Sequence, residues 1–276
     1  EACGLTDDEK LSLTSFEDYT KATFPSVNFA ADKIAVIYAQ GNIEFQQGPE
    51  SIGPELATTI RKAREDKNIK AIVLRVNSPG GSALTSDIIW KEVQLAAQTK
   101  PFIASMGNVA ASGGYYISCA ADTIVADPTT LTGSIGIFGL LFSGEKLIKD
   151  KLGISSDVVK TNEHSDFGGG YPLPIPISDR PLTDYERNVM QTYNNRGYDT
   201  FLDRVSQGRH MTKEAVNEIA QGRVWTGEDA LKLGLVDVLG GLEDAIAIAA
   251  HKAGLNNYQI TELPVERSPF EDILLN

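Results

Sequence analysis

Cysteine is nearly absent from this sequence: Cys3 and Cys119 are the only two in 276 residues. Two thiols build no disulfide framework, and no Cys/His grouping has the spacing of a zinc site. Histidine is almost as sparse, with only His164, His210 and His251. Neither a metal nor a cofactor is expected. Positive charge is outweighed, since 25 Lys+Arg against 37 Asp+Glu give a formal charge of −12. A surface of that sign repels phosphate backbones and anionic headgroups, so nucleic acid and direct membrane binding are not expected. Long apolar runs are missing too: Ile34 to Ala39 is typical of the longest, far below the roughly 18 residues of a membrane-spanning helix. Glu1 is not an initiator methionine, and no basic or apolar leader follows it. The expectation is a processed or excised piece whose anchor, if any, has been removed.

What is present is 42% hydrophobic and 22% charged, the material of one large α/β domain or two small ones. Residues 1–32 are polar and mixed, and read as a linker arm with a short helix start at Ser15–Tyr19 and a stop at Pro25. Residues 33–276 read as one domain. Ile34–Tyr38, Ala71–Val76, Phe102–Ala104 and Thr123–Ala126 are apolar runs of strand length, of the kind buried on both faces. Ile52, Leu56, Thr59, Ile60 and Ala63 recur at helical spacing, as do Ile89, Val93 and Ala96. Alternating strands and helices predict βαβ units around a mainly parallel sheet. The spacing also predicts a helix over Ala110–Ala121 and a long helix capped by Thr183. It predicts a short helix from Val224, a late strand at Leu235–Leu239 and a closing helix over Leu242–Ala253. Between Ser155 and Pro181 a glycine- and proline-rich stretch reads as a long loop, a kind that tends to be functional.

Two strand-to-helix junctions carry the candidate chemistry, because ligands in open parallel sheets bind beyond the carboxyl ends of the strands. At Asn77-Ser78-Pro79-Gly80-Gly81-Ser82, adjacent glycines can present backbone N–H groups with no side chain in the way. At Ala110-Ala111-Ser112-Gly113-Gly114-Tyr115, one hydroxyl stands at a helix start among small residues. Ser112 there is either a helix cap or a nucleophile whose neighbouring N–H faces a developing oxyanion. The segment is not a Gly-x-Ser-x-Gly elbow, since position 110 is alanine, and no dinucleotide fingerprint is present. Thr132-Gly133-Ser134-Ile135-Gly136 is either a core turn and strand or an edge to which an extended peptide adds.

The run Ile72 to Ser82 resembles a signature of the signal peptide peptidase family, also called protease IV or SppA. Ser105-Met106-Gly107 to Tyr116, Leu131 to Gly139, and Gly222-Arg223-Val224-Trp225-Thr226-Gly227 to Asp237 resemble further family segments in the same order. Together they cover about Lys33 to Ala253. The resemblance implies an α/β, crotonase/ClpP-like fold with repeated ββα units and a serine peptidase working through a serine–lysine dyad. Ser112 would be the nucleophile, and backbone N–H groups of Gly80, Gly81 and Gly113 the oxyanion hole. A desolvated lysine with its pKa lowered to about 7–8 suits the role of base.

The chain departs from the short members of that family, whose lysine follows a histidine and precedes an aspartate: as aligned here, Ser165 stands in its place in Lys160-Thr161-Asn162-Glu163-His164-Ser165-Asp166. The chain resembles the C-terminal half of the long, two-repeat members, so the lysine is expected in an upstream half. Lys160 is the internal rival, and His164 with Asp166 raises a Ser–His–Asp alternative. His210 and His251 read as surface or half-buried helix residues, and Cys119 as core. The resemblance further implies apolar peptide substrates such as cleaved signal peptides. It implies a ring-like homo-oligomer in which the N-terminal half completes the site, held at the bacterial cytoplasmic membrane by an absent anchor and facing the periplasm or outside. Two other readings remain: an acyl-CoA hydratase or isomerase using the same oxyanion site, and a non-catalytic assembly half.

Overall fold

The structure, a computed structural model, describes residues 15, 30–46, 48, 50–155, 157–168, 177–178 and 180–264. The expected helix start over residues 16–19, the stop at Pro25 and the glycine–proline run over residues 169–176 lie outside these. Twelve strands are described: β1 Lys33–Gln40, β2 Asn42–Ile43, β3 Ser51–Ile52, β4 Ile69–Ser78, β5 Phe102–Ala111, β6 Thr123–Ala126, β7 Leu131–Gly133, β8 Phe142–Ser143, β9 Ile177–Ser178, β10 Val224–Thr226, β11 Val238–Leu239 and β12 Gln259–Leu263. The α-helices are α1 Glu55–Glu65, α2 Ala83–Ala97, α3 Gly113–Ser118, α4 Asp184–Arg209, α5 Lys213–Ile219, α6 Gly227–Lys232 and α7 Leu242–Lys252.

The main sheet runs β10-β7-β5-β4-β1-β12, with β6 joining β5 and β11. Its pairings are parallel except β10 against β7. Side chains of a strand alternate between faces, and the apolar runs divide accordingly. Ala35, Ile37, Ile72, Leu74, Phe102 and Ala104 join a large core with Leu56 and Ile60 of α1, Ile89 and Val93 of α2, Tyr115 of α3 and Phe201 of α4. Ile34, Val36, Ala71, Val73 and Ile103 face the other way, onto Ala245, Ala249 and Ala250 of α7. Both faces are covered, which is why the strands read as unbroken apolar runs rather than as alternation.

The structure differs from the expected elements in five places, the first two at the site. β5 does not stop near Gly107 but continues to Ala111. Its pairing with β4 passes irregularly from Val76–Met106 to Ser78–Ala110, and this bulge is held by Asn77, whose Oδ1 accepts the Val109 N–H at 3.2 Å. Gly107 packs against the same side chain. The helix expected from Ala110 therefore shrinks to Gly113–Ser118, and Ser112 lies on the strand-to-helix turn itself. Val224–Thr226 is a strand before it is a helix, and the late strand is only Val238–Leu239. β12 adds an edge that the mixed polarity of Gln259–Leu263 does not announce.

Candidate active site

Ser112 has φ +52° and ψ −118°, a left-handed backbone that side chains rarely adopt and that costs on the order of 1–3 kcal/mol. The fold over-determines it. The Ser112 N–H donates to the Gly133 carbonyl on β7 at 2.9 Å, and the Ser112 carbonyl accepts from the Tyr116 N–H at 2.9 Å. Downstream, α3 is pinned by its two tyrosines. The Tyr115 hydroxyl, fully buried, donates to the Leu235 carbonyl at 2.9 Å. The Tyr116 hydroxyl donates to Asp87 of α2 at 2.8 Å, and Arg204 of α4 reaches the same carboxylate at 2.9 Å. Burial and the Asp87 carboxylate push the Tyr116 hydroxyl pKa up. Ser112 is half-buried and its side chain makes no capping bond to its own helix, so the hydroxyl is not spent on local structure.

The glycine loop is pressed against this turn. A Cβ on Gly80 would sit 2.4 Å from the Gly113 nitrogen and 2.9 Å from the Ser112 Cβ, so this contact admits only glycine. Gly113 is equally confined: a Cβ there would meet the Ser86 Oγ at 2.7 Å and the Gly80 Cα at 3.1 Å. The loop is held by β2, with Ile43 N–H donating to the Gly80 carbonyl at 2.8 Å and Ser82 N–H donating to the Ile43 carbonyl at 2.7 Å. Gly80 N–H donates to the Ser78 Oγ at 3.1 Å. The amides of Gly81 and Gly113 are given no acceptor among the described residues. The structure thus brings Ser112, Gly80 and Gly113 together, with Gly81 the next residue of the loop.

On the far side of Ser112, β7 is paired on both edges, with β5 and with β10. Residues 131–133 are therefore a strand of the core sheet, and no peptide can add along them; Thr132 is buried with its hydroxyl on the Ala110 carbonyl at 2.8 Å.

A family model for peptidase family S49 matches residues 94–256. This chain belongs to peptidase family S49. It is 39% identical to "Serine protease SPPA, chloroplastic" of Arabidopsis thaliana over 97% of this chain and 40% of that protein. It is 42% identical to "Protease 4" of Haemophilus influenzae over 88% of this chain and 39% of that one. The chain thus spans about two fifths of the length of these curated relatives. Among solved structures it resembles a mutant of the 1510-N membrane-bound stomatin-specific protease, with a TM-score of 0.52 and 16% identity over 86% of this chain and 100% of that chain. The mixed α/β architecture with a mainly parallel sheet is therefore that of the S49-type, ClpP-like fold.

In this S49 chain the ionisable residues that compete for the role of base gather at the start of α4. Arg180 donates from Nε and Nη2 to Asp166 at 2.9 Å each, and from Nη1 and Nη2 to Glu186 at 2.8 and 2.7 Å. The Arg180 guanidinium holds both carboxyls well below their usual range. His164 Nδ1 lies 3.0 Å from Glu186, and its ring stacks on Tyr185. Asp166 is thus the partner of Arg180 rather than of His164, and the pair does not form the relay of a Ser–His–Asp triad. Lys160 donates to the Glu163 carbonyl at 3.1 Å and lies 3.4 Å from the Asp166 carboxylate.

Cys119 is fully buried, and burial pushes its thiol up to about 12. His210 closes α4 in the left-handed conformation and His251 is exposed on α7. Sequence reasoning missed Ile43, Ser78 and Ser86 as supports of the glycine loop. Only Ser78 left a signal, a hydroxyl two residues before Gly80 that can receive its N–H.

Proposed function

We propose that this chain carries the serine half of an S49 peptidase site, with Ser112 as the nucleophile. Its Oγ attacks a peptide carbonyl, and the tetrahedral oxyanion is received by the N–H groups of Gly81 and Gly113. Gly80 supplies the bare backbone that lets the loop reach the nucleophile. Collapse of the intermediate releases the amine and leaves an acyl-serine, which water then hydrolyses. The observation that carries this reading is the unspent hydroxyl of Ser112, held in a strained turn against the glycine loop. An acyl-CoA hydratase or isomerase has no need of such a serine.

The base is a neutral lysine contributed from outside these described residues. Among the described lysines, burial lowers the pKa of Lys100 alone, and Lys100 stands before the start of β5 while Ser112 stands past its end. Lys160 is held beside a carboxylate. A two-repeat protein whose N-terminal half brings the lysine, as a homo-oligomer at the outer face of a bacterial cytoplasmic membrane, accommodates both facts. Apolar peptides such as cleaved signal peptides suit the exposed Phe45 and Leu84, which follow Ile43 and Ser82 beside the loop.

The test is hydrolysis of a fluorogenic peptide with an apolar residue before the scissile bond. The chain alone, the complete gene product and its Ser112→Ala variant are compared. Turnover by the complete product that falls by at least about 10³-fold in Ser112→Ala is the expected result. Turnover unaffected by Ser112→Ala defeats the reading, and Ser112-dependent turnover by the chain alone returns the base to these residues.

A further inference from the structure

Resting on the peptidase reading above, we propose that Ser78 is a positioning residue: its buried hydroxyl holds the amide of Gly80 and thereby aims the Gly81 N–H at the oxyanion. Gly80 and Gly81 have φ of +98° and +146°, and two consecutive glycines have little intrinsic preference for any one backbone geometry. A donor aimed from such a loop must be fixed by its surroundings. Two contacts do this at Gly80. Its carbonyl is bound by the Ile43 N–H at 2.8 Å. Its own N–H is bound by the Ser78 Oγ at 3.1 Å, with Ser78 fully buried.

The peptide joining Gly80 to Gly81 is planar and trans, so its carbonyl and its N–H point in opposite directions. With the carbonyl turned to β2, the Gly81 N–H is turned away from β2. The Ile43 bond fixes this peptide directly and Ser78 fixes the one before it, so Gly80 is held on both sides and the loop cannot pivot there without losing one of the two bonds. Ser78 is also tied to the nucleophile side, because its carbonyl lies 2.5 Å from where a Cβ on Gly114 would stand. One side chain therefore registers the oxyanion loop against α3. The Ile43 contacts are main chain, which makes Ser78 the part of this clamp that substitution can remove.

In the complete gene product, Ser78→Ala and Ser78→Cys are compared with wild type on the same fluorogenic peptide, with melting temperature and peptide-aldehyde inhibition measured in parallel. A bound aldehyde places its hemiacetal oxygen where the oxyanion forms. For Ser78→Ala we expect kcat to fall at least tenfold, but by less than the roughly 10²–10³-fold that follows loss of an oxyanion donor. KM should stay within about twofold, and aldehyde affinity should weaken in step with kcat/KM. Ser78→Cys, which keeps a weak acceptor, should fall between the two, and amide exchange at Gly80 should accelerate in Ser78→Ala. An unchanged kcat, or a loss of kcat matched only by a fall in melting temperature with aldehyde affinity intact, overturns the inference while leaving the peptidase reading standing. A wild-type protein without Ser112-dependent turnover overturns both.

Discussion

Thr183 and Ser112 each stand one residue ahead of a helix, and the fold handles their hydroxyls in opposite ways. Thr183 is extended, its hydroxyl accepts the Glu186 N–H at 3.2 Å, and its own N–H donates to the Glu186 carboxylate at 2.9 Å, closing a capping box. Around it the charges are matched: Arg180 spans Asp166 and Glu186, and His164 adds to Glu186. Ser82, Thr212 and Thr226 cap their helices with the same kind of bond. Ser112 has the same chain position but a left-handed backbone and no cap bond. A hydroxyl whose bonds are all made locally contributes stability. One withheld from its helix, in a turn held open by neighbouring strands, is available to a substrate.

The strongest way to break that contrast is Gly80→Ala. Its methyl would run into the Gly113 nitrogen, and we expect peptide turnover by the complete gene product to fall by at least about 10²-fold, with circular dichroism still reporting a folded protein. Retained turnover would mean that the close contact of loop and nucleophile is irrelevant to activity.

At the α4 side the largest effect belongs to Arg180→Met, which strands two nearly buried carboxylates. The melting temperature at pH 7 should drop by roughly 5 °C with little change in KM. The pH trend separates the variants. In wild type, Asp166 and Glu186 have folded-state pKa values below their unfolded ones. Their stabilisation is therefore complete above the unfolded values, near pH 4, and is lost as pH falls through the folded ones. In Arg180→Met the carboxyls lack that partner, so the deficit against wild type should hold from pH 7 to 5 and shrink as pH is lowered below about 4. A deficit independent of pH would show that Arg180 acts by packing rather than charge.

Thr183→Ala should cost about 1 kcal/mol in denaturant unfolding and leave turnover untouched, since it removes a satisfied cap. The smallest effect is expected for Lys160→Met, which should leave turnover of the complete gene product within twofold. A large loss there would move the base into this chain.

Much of this was legible in one dimension. The runs at Ile34, Ala71, Phe102 and Thr123 announced buried parallel strands, because a strand covered on both faces has no polar side to show. Thr183 announced a helix start. Gly80, Gly81, Ser112 and Gly113 stood out as chemistry-bearing junctions by residue type alone. The bulge was not legible: Gly107 reads as a strand end, and it takes the Asn77 side chain from β4 together with pairing to β7 to carry β5 on to Ala111. Nor was β10, a three-residue strand that exists because β7 offers it an edge.

By itself, then, the sequence determined the buried central strands and the residue types at the two junctions, since burial patterns and glycine are written locally. Tertiary structure alone decided which hydroxyl is spent and which is kept. The backbone of Ser112 is set by Gly133 on one neighbouring strand, and the course of the glycine loop by Ile43 on another. Contacts between residues so far apart in the chain leave no periodicity to read.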